Sequence, residues 1–109
     1  MVLEKWFIDQ YVEAIQHEYM HIIMPALAKR EYKKAQTLLE DYISTFTRDA
    51  DALFDELPLG NMFLAHLGIL YRNTRSAAAG ELETEERVRE LTANVSQLFL
   101  RMSNQRKIA

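Results

Sequence analysis

From Val2 to Met24 the apolar residues Ile8, Tyr11, Ile15, Tyr19 and Ile22 return at steps of three and four, the spacing of one face of an α-helix. This predicts a first helix with that stripe turned to a core. Half a revolution away come Trp6, Met20 and Met24, flanked by Leu3 and Ala14, where a simple surface helix would carry charge. A helix apolar on two sides requires two neighbours. Pro25 lacks a backbone donor and disfavours helical geometry at Met24, so a break or kink is expected there, followed by a short turn of helix from Ala26 to Arg30.

A second helix is expected to begin near Glu31. Tyr32, Ala35, Leu39, Tyr42, Phe46 and Leu53 keep close to a heptad, and Leu38, Ile43, Ala50, Phe54 and Leu57 widen the stripe. Only Asp49 interrupts this seam. Continued to Leu57, the helix would be about 40 Å long, against a radius of gyration near 13 Å for a compact domain of this size, which predicts an elongated bundle or a dimer. Pro58 and Gly60 end it. Asn61 suits the N-cap of a third helix, from Met62 to Ala79, with Phe63, Leu67, Leu70 and Tyr71 facing inward and Gly80 as C-terminal cap. Thr84 suits the N-cap of the last, which repeats Val88, Leu91, Val95, Leu98 and Met102. Phe99 and Leu100 broaden that seam beyond what one partner helix needs, and residues 103–109 read as a frayed tail. The expectation is an all-α, single-domain, antiparallel bundle of about four helices over residues 1–109, elongated and dimerising.

Composition narrows the function. A chain of 109 residues has room for one core, and the absence of cysteine excludes disulfides, thiolate metal sites and thiol nucleophiles. A net charge of −3 with interleaved signs opposes a nucleic-acid partner. The basic clusters at Lys29, Arg30, Lys33, Lys34 and at Arg101, Arg106, Lys107 read as solvated helix ends. With neither an export signal nor a long apolar run, a cytoplasmic protein without a membrane partner is expected.

Three strings could carry chemistry. His17-Glu18-Tyr19-Met20-His21 has the form H-E-x-x-H, which on a helix sets two imidazoles on one face, able to grip one Zn²⁺, with Glu18 as a possible general base. In this it resembles a zincin metallopeptidase helix, although no strand precedes it and no G-x-x-H follows. A third ligand would have to be His66, Glu31 or Glu40. Glu18-x-x-His21 also resembles half of a ferritin-like di-iron site, which a symmetric dimer would double. Ala65-His66-Leu67-Gly68 resembles the phosphoacceptor helix of histidine phosphotransfer domains, with Ile69 and Leu70 where that family carries Lys and Gly. The plainer reading leaves His17 and His21 on the less buried side of the first helix and His66 at the core's edge, with no cofactor; Zn is the alternative.

The remaining feature is surplus apolar surface. Leu3, Trp6, Met20 and Met24 on the back of the first helix, with Phe99 and Leu100 on the last, mark a contact surface. Leu27-Ala28-Lys29-Arg30-Glu31-Tyr32-Lys33-Lys34-Ala35 is similar to the inter-helix turn of tetratricopeptide-type hairpins and small helical export chaperones. The expectation is a non-enzymatic interaction module, a regulatory, adaptor or chaperone-like homodimer that engages a further protein.

Overall fold

The computed structural model of the chain describes residues 5–53 and 59–108, with side chains over 6–49 and 59–102. Leu3, Phe54, Leu57 and Pro58, and the side chains of Ala50, Leu53, Arg106 and Lys107, lie outside the described residues. Within them all regular structure is helical: α1 (Lys5–Glu18), a π-helical turn (Tyr19–Ile23), α2 (Met24–Ala28), α3 (Tyr32–Leu53), α4 (Gly60–Ala78), a 3₁₀ turn (Leu82–Thr84) and α5 (Glu85–Ile108). The segments α1, π turn and α2 follow one another without a break, so four helical rods form the bundle. It measures 45 × 24 × 20 Å with a radius of gyration of 14.2 Å, elongated as the long helices require.

Pro25 does not break the first rod. In an unbroken α-helix its ring would press on the carbonyl of His21 and leave that carbonyl without its donor. One wide turn relieves this: the Met24 N–H reaches back five residues to the Tyr19 carbonyl, and Met24 keeps helical angles of φ −57° and ψ −44°. A wide turn also rotates everything after it. Upstream the buried line is Ile8, Val12, Ile15 and Tyr19, and beyond the turn it continues through Ile23, Ala26 and Leu27. Ile22, expected in the core, is therefore 45% exposed, while its neighbour Ile23 is fully buried.

Contacts along the rods fix their directions. Tyr11 donates to Asp49 Oδ2 at 2.8 Å and Tyr42 to the Ile15 carbonyl at 2.8 Å, so α1 runs antiparallel to α3. Asp49 breaks the apolar seam because Tyr11 meets it there. Phe46 and Phe63 join α3 to α4 with ring centroids 5.3 Å apart, and Phe63 and Phe99 join α4 to α5 at 4.4 Å. Tyr19 closes the circuit, its ring tilted against Phe99 at 5.5 Å and its hydroxyl donating to the Thr92 carbonyl at 2.9 Å. The centre of the molecule is thus an aromatic cluster of Tyr19, Tyr42, Phe46, Phe63 and Phe99, each at most 3% exposed. Such edge-on pairs add about 0.5–1.5 kcal/mol each beyond the area they bury.

Around the cluster lie Leu39, Leu67, Leu70, Val88, Leu91, Val95, Leu98 and Met102, the stripes expected from the sequence. Thr74 is buried among them and donates to the Leu70 carbonyl at 2.8 Å, so its hydroxyl is satisfied.

Three expected helix ends differ. The helix α4 starts at Gly60 with Leu59 in the cap position and no side-chain cap, so Asn61 lies inside its first turn. Thr84 precedes α5, but its hydroxyl donates back to the Glu81 carbonyl at 2.7 Å, closing the 3₁₀ turn instead of capping the helix. The backbone of α5 is helical through Ile108, past the expected start of a frayed tail.

Two other ends share one device. After α4, Gly80 takes φ 97°, with Gly80 N–H bonded to Ala77 O at 3.0 Å and Glu81 N–H to Ser76 O at 3.1 Å. After α2 the same pair of bonds forms, Arg30 N–H to Leu27 O at 3.1 Å and Glu31 N–H to Ala26 O at 2.9 Å, but the left-handed residue is Arg30, φ 60°. An L side chain is strained there by roughly 1–2 kcal/mol, and glycine regains part of that against its own entropy cost. Arg30→Gly is expected to raise the denaturation midpoint at unchanged slope, by about 0.5–1 kcal/mol. A fall instead would mean that the guanidinium stabilises the fold more than the backbone strains it.

Candidate functional site

The outer crest of the first rod carries the H-E-x-x-H string. His17 and His21 are both exposed, one turn apart, and their ring centroids lie 4.5 Å apart with planes tilted by 39°. Glu18 is turned away from them. It is half-buried on the flank facing α3, close enough for its charge to help burial raise the pKa values of Tyr11 and Tyr42. Among the described residues no group of three or more His, Asp or Glu converges to hold an ion, so Glu31, Glu40 and His66 are not brought to the pair. Within one chain the string therefore amounts to two neighbouring imidazoles.

Apolar side chains flank this crest. Trp6 is 61% exposed and meets Phe7 edge-on at 6.1 Å, and Met20 and Ile22 are exposed beside His21. On a helical wheel centred on the buried line, Trp6 and Met20 fall toward the α5 side and Phe7 and Ile22 toward the α3 side. Leu100 is also exposed, at 56%. Two expected contact residues are placed otherwise. Phe99 is 1% exposed in the aromatic centre, because a rod in a four-rod bundle touches two neighbours and buries a stripe wider than one heptad seam. Met24 is half-buried against the core, where its sulfur accepts from the Ser96 hydroxyl at 3.4 Å.

His66 sits on α4, its Nδ1 2.9 Å from the Met62 carbonyl. A carbonyl only accepts, so Nδ1 is the donor in this contact. One turn onward stand half-buried Ile69 and fully buried Leu70, without the cation that would balance a phosphoryl group.

One concavity went unforeseen in the sequence. A cleft of about 280 Å³ opens where the turn after α2 meets the start of α5, floored by Met24, Leu27 and Val88 and rimmed by Arg30, Tyr32, Glu85 and Arg89. Tyr32 donates to Glu85 Oε1 at 3.0 Å, and partial burial followed by this bond raises its pKa. The string from Leu27 to Ala35 supplies the turn and one wall, with Ala35 buried and Tyr32 half-buried. The far wall comes from α5, some fifty residues on, and no local signal marks that encounter.

No helix among the described residues is long and apolar enough to cross a membrane. Compared with known proteins, the chain matches no family model, and neither a curated protein sequence nor a solved structure matches it.

Proposed function

We propose that the protein is a non-enzymatic protein–protein interaction module that acts as a homodimer through the outer face of its first rod, in a regulatory, adaptor or chaperone-like role. One observation carries the reading. Of the seven large hydrophobic side chains exposed among the described residues, four (Trp6, Phe7, Met20 and Ile22) belong to this rod. None of the four belongs to the buried core, and between 43% and 61% of each stays exposed. Apolar groups gathered on one face of a soluble domain are the usual basis of association, and Trp and Met are well suited to it. Polar Gln10 and Glu13 separate the two apolar ends, and a second copy can set end against end with the rods either parallel or antiparallel.

Sedimentation across a dilution series tests this. At micromolar concentration the expected mass is twice the 12.8 kDa of one chain. Trp6→Ala and Met20→Ser should each shift the equilibrium toward monomer by at least about tenfold, the equivalent of 1.4 kcal/mol, without loss of helicity. A single-chain mass at all concentrations, or a dimer indifferent to both substitutions, would contradict the proposal.

A further inference from the structure

We infer that His17 and His21 form one half of a tetrahedral transition-metal site, completed by the same pair from a second copy, so that a divalent ion of the Zn²⁺ class controls self-association. This rests on the homodimer reading and adds to it a ligand and an orientation.

The geometry is that of a chelate. Imidazoles bound to one tetrahedral Zn²⁺ at about 2.0–2.1 Å per Zn–N bond hold their ring centres roughly 5 Å apart. His17 and His21 already stand 4.5 Å apart, on a helical turn that fixes their separation. Among the described residues neither ring makes a hydrogen bond, and both are open to solvent. That separation is compatible with one nitrogen of each donating to the same ion.

Two imidazoles fill half of a tetrahedral shell. The described residues of the same chain supply no third ligand, and water or a second molecule must provide the rest. A two-fold axis running along the first rod sets like residues against like, His17 and His21 facing their copies, and it also brings both Trp6 ends and both Met20 ends together. An antiparallel pair centred near Glu13 would match the apolar ends equally well but leave the two imidazole pairs on opposite sides of the centre. Only the parallel arrangement uses both features of the face. A shell of four neutral nitrogens favours Zn²⁺, Ni²⁺ or Cu²⁺ over Mg²⁺ and Ca²⁺, which select oxygen.

The test uses the untagged, chelator-treated full chain titrated with Zn²⁺ alone, followed by calorimetry and sedimentation, with Co²⁺ as a spectroscopic probe. One ion per two chains is expected, with a dimer that persists to lower protein concentration once Zn²⁺ is bound, an effect that EDTA reverses, and with the visible absorption of tetrahedral Co²⁺. His17→Ala and His21→Ala should each weaken uptake by at least about tenfold at unchanged helicity, and His66→Ala should leave it unaltered. One ion per chain at single-chain mass, uptake indifferent to His17→Ala, or no uptake at micromolar Zn²⁺ would each overturn the inference. A dimer that forms equally well without metal and takes up none would overturn it too, while leaving the homodimer reading intact.

Discussion

Replacing Phe63 with alanine is expected to cost about 3–5 kcal/mol, the range for emptying a fully buried aromatic site. Phe63 is 0% exposed and its ring lies 4.4 Å from Phe99, 5.3 Å from Phe46 and 6.5 Å from Tyr42, centroid to centroid. From α4 its ring meets rings on both α3 and α5, so its loss opens a void that three rods would have to close together. Against a typical domain stability of about 5–15 kcal/mol, the variant should be marginal at room temperature. Phe63→Leu keeps most of the volume and should cost much less, though it gives up the edge-on ring pairs. Urea denaturation followed by circular dichroism measures both. A loss below about 1 kcal/mol for the alanine variant would mean that the aromatic cluster is not the centre of the fold.

The second large effect is alkaline. Tyr19 is fully buried and Tyr42 is 3% exposed, and burial pushes both phenols well above their ordinary value of 10.0. Glu18 adds to the rise at Tyr42, and each hydroxyl already donates to a backbone carbonyl, a bond the phenolate would lose. A raised folded pKa means the proton is held more tightly in the native state. The resulting stability is complete below pH 10, the unfolded value, and is lost as pH rises from there toward the folded pKa. Two such groups give a slope of about 2.7 kcal/mol per pH unit at the steepest. Half-buried Tyr11, raised by burial and by its bond to Asp49, adds a smaller share in the same sense. Phenolate absorbance should therefore rise in two stages, the later one coinciding with loss of the helical signal. Titration of all five tyrosines in one step around pH 10 with helicity intact would contradict the buried positions of Tyr19 and Tyr42.

The fold was legible wherever burial follows helical period. The stripes of α3, α4 and α5 could be read directly, because each lies on an unbroken helix whose apolar face meets its neighbours. Legibility failed where geometry departs from that period or depends on distant chain. The π turn cannot be read from spacing, and it exchanged Ile22 for Ile23 at the core. Phe99 looked surplus because a heptad describes one neighbour while α5 has two. Asn61 and Thr84 are good capping residues by type, yet Asn61 lies inside the first turn of α4 and the Thr84 hydroxyl closes the 3₁₀ turn before α5. Of the candidate site, the exposed positions of Trp6, Met20 and the two histidines followed from opposing the buried stripe. The cleft beside Arg30 did not, because its walls meet only in the folded chain.

Trp6 is the chain's only tryptophan, which makes its fluorescence a direct report on the face proposed for association. In a lone subunit the indole is 61% exposed and should emit like a water-exposed ring, freely quenched by acrylamide. With a second copy covering the face, emission at high protein concentration should be blue-shifted and shielded, and should move to the exposed form on dilution. An exposed spectrum with the same quenching at every concentration would contradict homodimerisation through this rod.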